Sequence, residues 1–190
     1  MIFLWIGLML FLGVHSVRIF AEGFRTRTIA GLGPLAWKGL YTVVSLAGFA
    51  LLVWGYGMTR GGPSLWNPPV WTRHITALLV LVSFILLAAA YVPGNGIKTR
   101  VGHPMILGVK VWAFAHLLSN GRFGDVLLFG AFLVWAILDF KAARGRDKAS
   151  GNSYPSLGAT RTAMAVILGL VAYVVFTLWL HTLLIGVRPY

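Results

Sequence analysis

Long apolar stretches separated by short polar segments are the feature that most constrains this chain. They cover six windows, at residues 2–20, 38–57, 74–92, 104–119, 123–142 and 162–185. A helix of about 20 apolar residues crosses the hydrocarbon core of a bilayer. Because 58% of the 190 residues are hydrophobic and 11% are charged, the apolar surface exceeds what one soluble core of this length could bury. The sequence therefore predicts an all-α membrane helix bundle of about six transmembrane helices, in a single domain over residues 1–190.

The basic residues predict how the bundle is oriented. With six spans, the loops of one face carry Arg18, Arg25, Arg27, Lys38, Lys98, Arg100, Lys141, Arg144, Arg146, Lys148 and Arg161, and the other face carries Arg60, Arg73, Arg122 and Arg188. Lys and Arg concentrate in short cytoplasmic loops. We therefore expect a multi-pass protein of the cell inner membrane with both termini in the periplasm, and a polar cytoplasmic loop at residues 144–160 before the last helix.

Several classes of function are excluded or disfavoured by composition. The chain has no cysteine, so thiolate nucleophiles, iron–sulfur clusters and zinc–thiolate sites are impossible. Its four acidic residues are scattered, which disfavours hydrolysis by paired carboxylates. The net charge of +12 is not accompanied by the motifs or interleaved aromatics of a nucleic-acid reader. We expect the lipid bilayer, and no nucleic acid, as a partner.

Five histidines lie in or at the ends of the apolar windows: His15, His74, His103, His116 and His181. An ionisable residue inside a membrane is costly and points to function. His74 and His181 lie near span ends, so we expect them to be interfacial or hydrogen-bonded. For the deeper His15 and His116, metal ligation and simple hydrogen bonding are both open. Two histidines from different helices can bind the iron of a b-type haem from opposite sides; depth along the helices favours His15 with His103 as an alternative pair.

Lys110 is the other costly group, because it lies about 10 Å into the fourth predicted helix, counted from His103. Asp139 lies at a similar estimated depth in the fifth predicted helix. An ion pair between the two would lower the cost of both charges. We predict this pair, with a structural or haem-propionate-binding role.

Five segments resemble the NnrU family of bacterial membrane proteins: residues 11–18, 37–41, 91–98, 102–116 and 127–144. The resemblance implies a link to denitrification, through expression or activity of nitrite and nitric oxide reductases. A relative of the family, 15-cis-zeta-carotene isomerase, is a haem-b membrane enzyme. His15 and His116 are similar to the positions of its haem ligands, and His103 belongs to a similar His-Pro motif. Gly102 replaces the arginine of that motif, and Ala113 replaces a cysteine of the relative.

Three hypotheses are open at this point. The first is a haem-b-binding membrane protein of nitrite and nitric oxide metabolism, with His15 and His116 as iron ligands and with His103 and Lys110 as further cofactor-binding candidates. The second is a haem-free membrane assembly or regulatory factor for the nitrite or nitric oxide reductase machinery. The third is a haem-dependent cis–trans isomerase of a lipophilic polyene. The sequence alone does not decide whether the protein is an enzyme.

Overall fold

The computed structural model describes residues 1–189, and in that part of the chain the regular secondary structure is helical. The elements are α1 (Ile2–Phe20), α2 (Glu22–Gly57), α3 (Thr72–Tyr91), α4 (Gly96–Val101), α5 (Pro104–Ser119), α6 (Phe123–Ser150), α7 (Ala159–Val175) and α8 (His181–Ile185), with a π-helical turn (Phe176–Leu180) joining α7 to α8. The predicted all-α bundle is confirmed.

Five helices are long and apolar enough to cross a membrane: α1, α2, α3, α6 and the continuous unit formed by α7, the π-helical turn and α8. The remaining apolar helix, α5, has 16 residues. At 1.5 Å per residue it is about 24 Å long, shorter than a hydrocarbon core of about 30 Å. All six predicted windows are therefore helical, and the fourth is the short one.

The helices pack as a row in which α6 has a central place. Helix α1 contacts α2 on one side and α6 on the other, α5 lies between α6 and α3, and α7 packs against α3. Phe11 and His15 of α1 lie beside Phe132 and Trp135 of α6. Phe11 pairs with Phe132, and the later residue His15 pairs with the later residue Trp135. Helices α1 and α6 therefore run parallel. Helix α6 thus separates the helix that carries His15 from the helix that carries His116.

Cations gather where α1 and α6 end, and we call this end of the bundle the basic end. Arg18 is in the last turn of α1, and Lys141, Arg146 and Lys148 are in the last part of α6. Arg146 Nη1 donates a hydrogen bond of 3.3 Å to the Arg18 carbonyl oxygen. The ends of α1 and α6 are therefore joined at the basic end.

Glycines allow α1 and α2 to approach closely. A Cβ added to Gly7 would overlap the backbone of Leu52, and a Cβ added to Gly55 would overlap the backbone of Leu4. Leu4 is fully buried. Small residues at such contacts allow membrane helices to pack backbone against backbone, which holds α1 in place.

Helix α2 consists of two segments that meet at Gly33, whose φ of +83° is not helical. Pro34 follows and begins the second segment, because proline tolerates only the first turn of a helix. The predicted second span, residues 38–57, lies within this second segment. The helical segment before Gly33 was not predicted from the sequence.

The predicted polar loop at residues 144–160 is too long. Helix α6 continues to Ser150 and ends at Gly151, whose φ of +67° is left-handed, so that residues 151–158 are the part outside helices. The segment is polar, but Ala, Arg and Lys are good helix formers. The polar composition of residues 144–160 therefore indicates that the segment is exposed to water. It does not indicate that the helix ends at residue 144.

We expect Gly55→Ala to lower the free energy of unfolding by about 1–3 kcal/mol, because the added Cβ overpacks the contact between α1 and α2. Gly13→Ala in α1 is the matched control, since a Cβ there meets no atom within 4 Å. That variant should be neutral or stabilising by up to about 1 kcal/mol through helix propensity. Thermal melting in mild detergent, followed by circular dichroism, measures both. Equal destabilisation by the two substitutions would contradict the close packing.

Candidate functional site

His15 lies on the α1 face that meets α2 and α6. Its Nδ1 is 2.6 Å from the carbonyl oxygen of Phe11, four residues earlier in the helix. The ring is half-buried among aromatic neighbours, with centroids 4.3 Å from Phe11, 5.1 Å from Tyr41 and 6.0 Å from Trp135. Three helices thus fix the position of this imidazole.

His116 lies near the end of α5 and has the same local arrangement. Its Nδ1 is 2.8 Å from the carbonyl oxygen of Trp112, also four residues earlier. The ring stacks on Phe129 of α6 at 4.6 Å with an angle of 23° between the planes. The His116 imidazole is therefore held against α6 by this stacking.

The two hydrogen bonds determine which nitrogen of each imidazole is available. A carbonyl oxygen only accepts, so Nδ1 must carry the proton and donate it. In the neutral ring, Nε2 then keeps a free lone pair, and this nitrogen is the atom that binds a metal. Metal-bound histidines commonly donate their other ring nitrogen to a backbone carbonyl. Both histidines thus have the chemistry of an iron ligand.

The space between the two histidines is filled by three aromatic rings, Phe11, Trp112 and Phe132, which we call the aromatic wedge. Phe132 lies 5.8 Å from Phe11 and 5.6 Å from Trp112, between ring centroids. Phe11 in turn touches His15, and Trp112 touches His116. The wedge is a continuous aromatic contact from one imidazole to the other.

The two imidazoles also differ in depth along α6. His15 lies level with Trp135, and His116 lies level with Phe129. These positions are six residues apart, which corresponds to about 9 Å along the helix axis. Ligation of one iron by both rings therefore requires the aromatic wedge to move; the present arrangement does not place both rings on one metal.

Two buried polar atoms near His15 lack a hydrogen-bond partner within residues 1–189: Ser45 Oγ and Trp135 Nε1. Trp135 meets His15 edge to face, and Ser45 is one helical turn from Tyr41, which also contacts His15. Buried unsatisfied groups are rare because each costs about 1–3 kcal/mol. The surroundings of His15 therefore have unused capacity to bond a ligand or water.

His74 and His181 occupy the positions expected of interfacial residues. His74 is exposed near the start of α3. His181 Nδ1 is 2.7 Å from the carbonyl oxygen of Val187, which caps the end of the chain beyond α8. Neither residue lies in the aromatic wedge.

The predicted ion pair between Lys110 and Asp139 is wrong. Lys110 Nζ lies 4.9 Å from the centroid of the Phe140 ring, and Asp139 is paired with Arg146 at 3.7 Å. The depth estimate placed the two side chains at one level but said nothing of their direction around each helix. A cation over an aromatic face is stabilised by the ring quadrupole, so Lys110 avoids lipid without a carboxylate.

His103 belongs to a different cluster, outside the surroundings of His15 and His116. Its Nε2 lies 2.7 Å from Asp147 Oδ2, in an orientation too bent for a linear hydrogen bond. Tyr154 donates its hydroxyl to the same carboxylate at 3.1 Å, and Asn152 Nδ2 donates at 3.2 Å. Burial raises the pKa of the Tyr154 phenol, and its hydrogen bond to Asp147 raises it further.

The cluster fixes the loop after α6, residues 151–158, onto the junction of α4 and α5. Lys98 Nζ lies 5.5 Å from the centroid of the Tyr154 ring. Sequence reasoning missed Asn152 and Tyr154, and it treated Asp147 as an isolated acid. No local pattern could have revealed them, because they meet His103 only through the tertiary fold.

Asn95 organises the turn between α3 and α4. It is fully buried, and its Nδ2 donates to the carbonyl oxygens of Ala89 and Val92 at 2.8 and 2.5 Å. Its Oδ1 accepts from the backbone N–H of Lys98 at 2.8 Å, which caps α4. The side chain is saturated and therefore structural.

Comparison with known proteins connects this geometry to a family. The sequence model described as NnrU protein matches residues 3–189, nearly the whole chain. The chain belongs to the NnrU family. The resemblance noted in the sequence is thereby confirmed, and it extends beyond residue 144 to the last helices. None of the curated proteins and none of the solved structures compared matches this family member.

We expect Asp147→Asn to loosen the loop at residues 151–158, because the neutral amide weakens the contacts with His103 and Tyr154. The loss should be about 1–3 kcal/mol of local stability. Limited proteolysis with trypsin, read by mass spectrometry, should show severalfold faster cleavage after Lys148. Ser153→Ala, in the exposed part of the same loop, is the control. Cleavage of Asp147→Asn at the control rate would show that the cluster does not hold the loop.

Proposed function

We propose that this NnrU-family protein binds b-type haem and acts in nitrogen-oxide metabolism, with His15 and His116 as the iron ligands. One observation carries the proposal. Two imidazoles from different helices share an arrangement in which Nδ1 donates to a carbonyl four residues earlier and Nε2 is left free. Both imidazoles also contact aromatic rings of α6, His15 at Trp135 and His116 at Phe129.

Haem uptake requires a rearrangement that the contacts define. The rings of Phe11, Trp112 and Phe132 would leave the space between the imidazoles, and α1 and α5 would adjust along α6. The bound haem would supply an iron centre for nitric oxide binding or electron transfer. The chain's own contribution is to orient the imidazoles through their Nδ1 hydrogen bonds and to exclude water with aromatic side chains.

Two further residues remain candidates for holding the cofactor. Lys110 has no carboxylate within ion-pair distance in residues 1–189, so its ammonium group is available to a haem propionate. His103 faces Asp147 and is a candidate only if the cluster at the basic end opens. We rank Lys110 above His103 for this reason.

The proposed cellular location rests on the unequal distribution of Lys and Arg between the two ends of the bundle. We propose an inner-membrane protein whose basic end is cytoplasmic and whose two termini are periplasmic. Protein partners in the nitrite or nitric oxide reductase machinery belong to the same proposal. They rest on the family resemblance.

A second candidate function is a haem-free membrane assembly or regulatory factor for those reductases. The observation that favours it is the aromatic wedge, because Phe11, Trp112 and Phe132 fill the space between the histidines with ordinary ring contacts. In that case the two Nδ1 hydrogen bonds would serve only to keep the imidazoles satisfied in the membrane.

An absorption spectrum separates the two candidates. Protein purified in mild detergent from haem-supplemented cells should show a Soret band. His15→Ala and His116→Ala should each lose most of it, because each would remove one of the two imidazoles proposed to hold the iron. His74→Ala, at an exposed histidine, should keep the wild-type band. A folded but colourless wild-type protein would support the haem-free factor, and a full band in both ligand variants would reject these two ligands.

Removal of a wedge ring should favour haem binding. Phe132→Ala deletes contacts that only the haem-free form makes, so we expect the affinity for added haem to rise about tenfold, equivalent to about 1.4 kcal/mol. Titration of detergent-purified protein with haem measures it. Phe49→Ala is the control, since Phe49 is exposed and lies outside the wedge, 6.0 Å from Phe11. Equal or weaker haem binding by Phe132→Ala would contradict the need for the wedge to open.

A further inference from the structure

A groove of about 640 Å³ lies between α1 and α6 on the lipid-facing side of the bundle. Trp5, Leu12 and Ser16 line it from α1, and Gly130 and Leu138 are among the residues that line it from α6. Neither His15 nor His116 lines it. Trp135 borders both the groove and His15, so the groove adjoins the candidate haem site without containing either proposed ligand.

The shape of the groove suits an extended hydrocarbon chain. On α1 it runs from Trp5 to Ser16, eleven residues or about 16 Å along the axis. On α6 it runs from Phe123 to Leu138, fifteen residues or about 22 Å, which is longer than the half-thickness of about 15 Å of one leaflet and ends one helical turn before Lys141. Trp5 and Leu138 are 48% and 39% exposed, so the groove opens directly to the bilayer. Only molecules dissolved in lipid have access to it.

Beyond the end of the groove, at the basic end, α6 carries two lysines that have no carboxylate partner in residues 1–189. Lys141 and Lys148 follow Leu138 by three and ten residues, and three- and seven-residue steps on a helix keep side chains on one face. Both are exposed. Within residues 1–189 the nearby carboxylates are already engaged, Glu22 with Arg25 and Asp139 with Arg146.

We propose that this groove binds an anionic phospholipid of the leaflet at the basic end. One acyl chain lies along Gly130 and Ala131, and the phosphate is held by the ammonium groups of Lys141 and Lys148. The charge at the end of the groove selects this occupant: a neutral or zwitterionic lipid fills the apolar part equally well but gains less from two unpaired cations. Each basic residue near a negatively charged headgroup contributes about fivefold in affinity.

Brominated lipids test the proposal with the full chain. The protein is reconstituted in phosphatidylcholine vesicles that contain phosphatidylglycerol or phosphatidylcholine with brominated chains, and quenching of tryptophan fluorescence is measured. Trp5 and Trp135 line the groove, and they report its occupant once the other six of the eight tryptophans are replaced by Phe, in the protein from which all variants are made. We expect a preference for phosphatidylglycerol in this parent protein, a loss of about fivefold in Lys141→Gln, and retention of the preference in Lys141→Arg.

Two further variants distinguish the groove from general surface charge. Arg161→Gln removes an exposed cation from α7, a helix that packs against α3 and not against the groove, and should leave the preference unchanged. Gly130→Leu places a larger side chain in the groove that Gly130 lines, at a position where an added Cβ meets no atom within 4 Å, and should reduce quenching by both lipids. Equal quenching of the parent protein by the two lipids would overturn the proposal. So would an unchanged preference in Lys141→Gln, an equal loss in Arg161→Gln, or unchanged quenching in Gly130→Leu.

Discussion

Several polar side chains in this bundle donate hydrogen bonds to backbone carbonyl oxygens, because the hydrocarbon core offers no water as a partner. Ser83 donates to the carbonyl of Gly108, and Thr76 donates to that of Ala115, both at 2.8 Å, which fastens α3 to α5. His15 and His116 follow the same rule within their own helices. The packing of the row and the orientation of both imidazoles therefore share one physical cause.

This constraint connects the two candidate functions. Hydrogen bonding through Nδ1 satisfies a histidine in lipid, and it also leaves Nε2 ready for a metal. The aromatic wedge opposes the proposed haem binding, because its ring contacts would be lost if the imidazoles came together. Whether haem is bound depends on the balance between two iron–imidazole bonds and the contacts of Phe11, Trp112 and Phe132. The unpartnered Trp135 Nε1 and Ser45 Oγ weaken the haem-free side of that balance.

The sequence predicted those features that depend on one local property. Hydropathy alone identifies the six apolar windows that the structure shows as helices. Features that depend on direction around a helix were not predictable: Lys110 turns toward Phe140 and not toward Asp139. The contact of His103 with Asp147 joins residues that are close only after α5 and α6 have packed. Depth along a helix can be estimated from residue number, whereas rotation and pairing require the fold.

The claim that both imidazoles donate through Nδ1 and keep Nε2 free can be measured directly. Nuclear magnetic resonance of the haem-free protein, labelled with ¹⁵N-histidine and assigned through His15 and His116 substitutions, distinguishes the two neutral tautomers. The account predicts a protonated Nδ1 and an unprotonated Nε2 for both residues. A protonated Nε2 in either neutral ring would contradict it, because neither the backbone hydrogen bond nor the proposed iron ligand would then be available at that position.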